Sequence, residues 1–337
     1  MTIKSSGSSL AFSEIEAEFG AQNPRSLGAY RHTQTVNGLT FNGIDSGIPT
    51  SGQIKFSDFY SKSLNIVVDC FSGGDEFRIS AKNNKWNNNN IVIINPSTVS
   101  KRESGTKITI RVNKKFGSDK SGINNCALKT GSWNNPAQVI LDLGSNAKVL
   151  GAGGDGGRGA NGITNPGVDG GDGSSGLGIE HQGTIVNYRS GSVIRAGFAG
   201  GGGGGGGQET SKNDRRAGGG GGGGGAGFPF GLGGAGGVPQ SGTRQSPNDQ
   251  GDPGGNGTET TGGSGGQPGD NDDQAGGRTG GVGGDNEQTA GSPTDADSAS
   301  GDAGTNGAAI RKGSGVSFTF GTTGGTIQGS SNASGVA

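Results

Sequence analysis

Two histidines, His32 and His181, are the only imidazoles in a chain of 337 residues. They lie far apart in sequence, so a Ser-His-Asp arrangement or a His-based metal site would need an improbable geometry. Structural or surface roles are expected for both. Asp270-Asn271-Asp272-Asp273 offers oxygen atoms to calcium, but it lacks the spaced ligands of an EF-hand loop and the apolar position of calcium-binding nonapeptide repeats. It reads as a solvated acidic loop. Two carboxylates could cleave a polysaccharide, yet nothing marks a pair, and short polar loops rarely build a cleft. Chance matches to G-x-G-x-x-G neither follow a strand nor open a helix, as a dinucleotide site requires. No enzyme, cofactor or metal is therefore expected. The remaining chemistry is recognition, carried by Lys212, Asp214, Arg215 and Arg216 in one polar stretch and by Arg244, Asn248 and Asp249 in another. Arginine in such places can make bidentate bonds to carboxylate or phosphate.

These polar stretches are spaced by glycine. Most of the 79 glycines lie beyond residue 150, and they keep a period of three: Gly151, Gly154 and Gly157 are in step, as are Gly231, Gly234 and Gly237, Gly263, Gly266 and Gly269, and Gly301, Gly304 and Gly307. Two runs, Gly200 to Gly207 and Gly218 to Gly225, are unbroken. Three residues per turn is the polyproline II period, and that conformation makes no hydrogen bonds within itself. Its backbone needs neighbours. Collagen would demand an uninterrupted frame and abundant proline, whereas only 11 prolines occur, mostly in the gaps. The expectation is one chain folded back and forth into packed polyglycine II helices, with glycine wherever two backbones touch. A flexible linker is the plainer alternative.

Composition agrees with a chain of two materials. Apolar residues make up 27% and aromatics 5%, too few for one large core. The net charge of -1 suggests neither nucleic-acid binding nor a polybasic membrane patch. No run of about 18 apolar residues could span a bilayer, and no secretory signal opens the chain. Cys70 and Cys126 are too few for a disulfide scaffold.

The expected organisation is mostly β and polyglycine II. Residues 1–62 form a small docking module, in which Ser13 and Glu16 read as a capping box, Ile15 and Phe19 lie one turn apart, and Ile54 to Phe56 alternates like a strand. Residues 63–150 read as an antiparallel β domain with strands near 64–69, 76–79, 91–95, 107–112 and 138–143. Trp86 and Trp133 sit beside asparagines near turns, as core caps or as sugar-stacking rings. Residues 151–315 form the glycine bundle, and 316–337 a closing strand and tail. Binding is placed on the connections 163–168, 208–217, 238–250, 270–275 and 285–300. Counting reversals from the two ends of the bundle gives opposite answers for which of these are distal. One boundary is therefore misplaced, with Phe228-Pro229-Phe230 the first place to look.

At two places a β pattern runs directly into glycine: Val139 to Asp142 with Lys148 to Gly154, and Thr184 to Asn187 with Val193 to Gly197 and then Gly200 to Gly207. Over about residues 138 to 320 this resembles the Gly-rich receptor-recognising adhesins at the tail-fibre tips of T-even-like bacteriophages. The resemblance implies a virion tail protein with an attachment domain, a sandwich of polyglycine II helices and receptor-choosing loops. Its implied partners are a bacterial outer-membrane protein or lipopolysaccharide, and a tail fibre or baseplate protein held through residues 1–62. That opening segment departs from those adhesins and is similar instead to the start of small virion proteins of environmental phages. A tail or baseplate component without receptor binding, a capsule depolymerase and an ice-binding protein are the alternatives, in that order.

Overall fold

The computed structural model describes residues 3–19, 26–30, 33–36, 39–42, 48–49, 51–62, 65–70, 77–78, 91–93, 107–118, 122–131, 138–208, 216–240, 249–269, 276–285 and 288–336. The protein is mostly β-structure, and one α-helix, Phe12–Phe19, occurs among the described residues. The Ala11 N–H donates to Glu14 Oε2 at 2.7 Å, so the helix opens two residues before the expected Ser13–Glu16 box. Glu14 also pairs with Lys4 at 2.8 Å. The strand expected at Ile54–Phe56 is absent; Phe56–Phe59 is a 3-10 turn, closed where the Lys55 N–H donates to Asp58 Oδ2 at 2.8 Å.

A hairpin, β1 (Thr33–Val36) and β2 (Leu39–Asn42), precedes three larger sheets. The first contains β3 (Asn65–Cys70), β5 (Ile91–Ile93), β6 (Lys107–Val112), β9 (Gln138–Leu143), β12 (Thr184–Tyr188) and β17 (Phe318–Phe320). The second contains β7 (Lys115–Gly117), β10 (Lys148–Leu150), β13 (Val193–Arg195) and β18 (Thr326–Gln328). The third contains β4 (Phe77–Arg78), β8 (Cys126–Lys129), β11 (Ser175–Ile179), β16 (Ile310–Lys312) and β19 (Ala333–Ser334).

Apart from β3 with β5, these pairings are parallel. The chain visits the sheets in one order on each circuit: β6–β7–β8, β9–β10–β11, β12–β13–β16 and β17–β18–β19. A three-sided parallel solenoid results, in place of the antiparallel domain expected over 63–150. Period-two alternation identifies the buried face of a strand but not the direction of its partner. Here each corner carries the chain onto the next sheet instead of back along the same one; Gly191, at φ 90°, makes the turn between β12 and β13.

Side chains at matching register form ladders through the interior. Ile110, Leu141 and Val186 line one sheet, Phe116, Val149 and Ile194 the second, and Leu128, Leu177 and Ile310 the third. All nine are essentially inaccessible to solvent. Ile3, Ile15 and Phe59 belong to the same apolar cluster, so the N-terminal segment packs as part of this core. Cys126 is buried and in no disulfide, with its Sγ 3.7 Å from the Asn124 carbonyl. Trp86, Trp133, His32 and the Phe19 side chain lie outside what the structure describes.

The glycine-rich chain enters at a single corner of the solenoid. Residues 151–174 leave β10 and return as β11, and residues 196–309 leave β13 and return as β16. Their backbone bonds run between segments. Gly219, Gly222 and Gly225 donate to Ala160, Gly157 and Gly154; Gly218, Gly221 and Gly224 donate to Asp249, Asp252 and Gly255; Gly220 and Gly223 donate to Arg278 and Gly281. Successive N–H groups thus reach different neighbours and repeat at every third residue. The remaining sides of 218–225 accept bonds from Gly204, from Gly231, Gly234 and Gly237, and from Gly263, Gly266 and Gly269. Residues 200–207 are enclosed in the same way by 151–160, 167–174, 218–225, 277–284, 291 and 301–307.

This explains why those two runs are unbroken glycine while the others keep glycine only in step. An outer segment touches neighbours on part of its circumference: Gly231, Gly234 and Gly237 are buried, and Leu232, Ala235 and Val238 are exposed. A Cβ on Gly222 would lie far inside contact distance of the Gly201 carbonyl, whereas one on Gly276 meets nothing closer than 3.8 Å. Gly222→Ala should therefore cost about 1–3 kcal/mol or more through overpacking, lowering the melting temperature and opening the bundle to proteolysis. Gly276→Ala should leave both unchanged within error.

Candidate functional site

The reversals of the bundle sort into two ends. Turns at 227–230 and 258–261 and the reversal between Asp285 and Gln288 face the solenoid, and 161–166, 293–300 and the described residues flanking the other connections (Gln208 and Arg216, Val238 to Gln240 and Asp249, Gly269 and Gly276) lie at the other end. The misplaced boundary lies inside 285–300 and not at Phe228–Phe230: the Asp285 N–H donates to the Gln288 carbonyl at 2.7 Å to make a turn, and Gly291 then pairs with Val282 and Gly202 on the way back out. Four residues of returning chain are too short to show a glycine period.

The distal connections are braced to one another by side chains. Asn161 Oδ1 accepts from Arg158 Nη1 at 2.7 Å and from the Val238 N–H at 3.0 Å. A two-residue stem, β14 (Gly207–Gln208) with β15 (Arg216–Ala217), holds the loop between them, and Arg216 Nη1 donates to Gln240 Oε1 at 2.6 Å. The Gln208 N–H donates to Asp297 Oδ2 at 2.6 Å. Ser298 Oγ accepts from the Gly206 N–H at 2.7 Å, and Ser300 Oγ from the Gly205 N–H at 2.9 Å. Arg278 Nε reaches the Asp295 carbonyl at 3.3 Å.

Of the residues expected to bind, Arg216 stands half-buried at the root of its loop. Asp249 is fully buried, and its carbonyl accepts from the Gly218 N–H at 2.8 Å. That burial keeps its side chain out of solvent. Lys212, Asp214, Arg215, Arg244 and Asn248 lie outside the described residues, as does Asp270–Asp273. Sequence reasoning passed over Arg158, Asn161, Gln240, Asp295, Asp297 and Ser298. The signal was present, since short Asn, Asp and Ser side chains are suited to capping stray backbone N–H groups.

No group of acidic, His or Cys side chains able to hold a metal occurs among the described residues. His181 is buried, and its carbonyl accepts from Thr184 Oγ1 at 2.8 Å. A cavity of about 360 Å³ lies on the solenoid, lined by Arg111, Asn113, Asp142, Ser145 and Arg189 among others, but Asp142 is held by Arg189 at 3.0 Å. Among the described residues no helix is long and apolar enough to cross a membrane.

A family model described as phage tail fibre adhesin Gp38 matches residues 76–332. The chain belongs to that family. As a tail-fibre adhesin it is a virion tail protein that binds a host receptor, and family membership points to binding and not to catalysis. The crystal structure of the gp37-gp38 adhesin tip complex of the bacteriophage S16 long tail fiber is similar at 23% identity, covering 94% of this chain and 96% of that one with a TM-score of 0.37. No curated protein matches the adhesin.

The other end of the adhesin's bundle is fastened to the solenoid through Glu259. Its carboxylate receives Lys115 Nζ at 2.8 Å and Lys148 Nζ at 3.4 Å, and its carbonyl accepts from Arg195 Nη2. Lys115 Nζ also stands 3.9 Å from the centre of the Phe228 ring, a cation–π contact. Burial pushes the Glu259 carboxyl up, but the Lys115 hydrogen bond and the charges of Lys115 and Lys148 outweigh that and hold it below its ordinary range. A carboxyl depressed in the folded state stabilises above its unfolded pKa, and that contribution is lost as pH falls through the folded value. Glu259→Gln should therefore melt below wild type near neutrality, with the gap closing below about pH 4; thermal unfolding followed across that range tests it.

Proposed function

We propose that the glycine-rich segments are polyglycine II helices and that the adhesin recognises its receptor through the loops at the distal end of this scaffold. The observation that supports the reading is the sorting of the segment ends: the described residues flanking five connections of mixed, polar sequence lie at one end, while the opposite end is tied to the solenoid at Glu259. The three-residue repeat of hydrogen-bond direction supports the helix type. Loops on a rigid frame can vary in sequence without disturbing the backbone lattice beneath them.

Lys212, Asp214, Arg215, Arg216, Arg244 and Asn248 are the proposed receptor contacts, with Asp249 anchoring their loop. Neither 208–217 nor 238–250 contains tyrosine or tryptophan, the usual interface anchors. A polar target suits them: an outer-membrane protein's exposed loops or the sugars and phosphates of lipopolysaccharide. Residues 1–62 are proposed to dock the adhesin on its tail fibre or baseplate protein, with the solenoid as the platform between.

Binding of the purified chain to candidate host cells tests this, using the intact protein and variants in which 209–215 or 241–248 is replaced by Gly-Ser. Saturable binding by the intact chain, reduced about tenfold or more in one variant whose circular dichroism is unchanged, is expected, since losing one or two charge-assisted contacts costs that much. Equal binding by every loop variant would remove the loop reading.

A further inference from the structure

Along the run 200–207 the partners of the backbone N–H groups change in kind. From Gly200 to Gly204 each N–H donates to a backbone carbonyl of a neighbouring segment: Gly171, Gly223, Gly291, Val168 and Gly220 in turn. Beyond that, side chains take over. Gly205 donates to Ser300 Oγ at 2.9 Å, Gly206 to Ser298 Oγ at 2.7 Å and Gln208 to Asp297 Oδ2 at 2.6 Å. The lattice ends at this level because neighbouring segments reverse, and a backbone N–H that has lost its carbonyl needs another acceptor. All three acceptors belong to the connection 293–300.

That connection is itself held in shape. Asp295 Oδ1 accepts from the Ser300 N–H at 2.8 Å, and Ser300 Oγ donates to the Thr294 carbonyl at 2.7 Å. The Ser298 N–H returns a bond to the Gly206 carbonyl at 3.0 Å. Ser298 is buried, whereas Asp297 is exposed and reaches its partner from the rim. Its carboxylate is the strongest acceptor of the three, because a charged oxygen makes the stronger hydrogen bond. The N–H it takes is that of Gln208, the last residue of β14, which pairs with Arg216 across the stem.

We propose that Asp297 is a positioning residue for receptor recognition, supported by Ser298 and Ser300. It sets the direction in which Gln208 and Arg216 leave the bundle, and so makes 293–300 and 208–216 one recognition unit. The receptor part of this rests on the loop-binding reading above. Other aspartates cap backbone groups without such reach. Asp169 Oδ1 and Asp172 Oδ1 accept from the Asp302 and Thr305 N–H groups at 2.8 and 2.7 Å, but that segment is already fixed by backbone bonds from Gly301, Gly304 and Gly307. Gln208 has only a two-residue stem, and a hairpin that short does not hold its own direction. Arg216 Nη1 carries the orientation onward to Gln240 at 2.6 Å. A new sequence in 209–215 therefore keeps its angle only while an acceptor stands at position 297.

Amide hydrogen exchange of the full chain without receptor, paired with binding to host cells, tests this on Asp297→Ala and Asp297→Asn. Asp297 is exposed, so the melting temperature should hold in both. Asp297→Ala is expected to speed exchange at Arg216 and Ala217, across the stem from the lost bond, about tenfold, and to weaken binding by a similar factor, the worth of one hydrogen bond to a charged group. Asparagine keeps an oxygen for the Gln208 N–H and should restore most of both. Unchanged exchange at Arg216 and Ala217 in Asp297→Ala would overturn the proposal, and a loss of binding in that case would make Asp297 a direct contact. Wild-type binding by Asp297→Ala, where replacement of 209–215 abolishes it, would overturn the positioning role and leave the loop reading intact. Binding that survives replacement of 209–215 would remove the loop reading and this proposal with it.

Discussion

The structure depends on how closely two polypeptide backbones can approach. Glycine segments in this bundle lie so near one another that the N–H of one reaches the carbonyl of the next directly, and a single Cβ at a touching position would collide with that carbonyl. Ordering glycine costs about 1–2 kcal/mol per residue, while each hydrogen bond returns about 0.5–1.5 kcal/mol net. An isolated pair of segments would not persist. The enclosed segments 200–207 and 218–225 direct bonds to every side, and weak Cα–H···O contacts add to that density. Stability therefore depends on completing the lattice, and the lattice leaves almost no freedom to its interior positions.

That rigidity needs a foundation, and the solenoid supplies one. Parallel strands stacked in register present consecutive chain exits at one corner, so that β10 and β13 launch glycine segments side by side and β11 and β16 receive them. Residues 151–160 and 197–206 start out parallel because their strands are parallel: Gly154, Gly157 and Ala160 donate to Phe198, Gly201 and Gly204 in step. The Glu259 contact with Lys115 and Lys148 then fixes a later turn back to the same corner. Within the bundle, side chains larger than glycine mostly stand at outward positions and in the connections, where no neighbouring backbone excludes them.

Much of this was legible in residues. The glycine period, the approximate bounds of the segments and the strands at 107–112 and 138–143 follow from local repeats, because a touching position tolerates no side chain and an inward strand position favours an apolar one. The very short strands Lys115–Gly117 and Cys126–Lys129 were not legible. Three or four residues contain no measurable alternation, and only pairing with the neighbouring circuits makes them strands. The reversal within 285–300 escaped for a similar reason, since its outward-running piece has a single in-step glycine, Gly291.

By itself the sequence determined that two materials are joined near residue 150, that one packs by backbone contact, and that polar connections interrupt it. Tertiary structure decided the direction of strand pairing, the common corner from which both glycine insertions leave, and the end of the bundle at which each glycine segment reverses. Those features depend on which segments become neighbours across more than a hundred residues. A repeat records what each position must avoid, steric collision or an unpaired backbone group, but it does not record which partner removes that need.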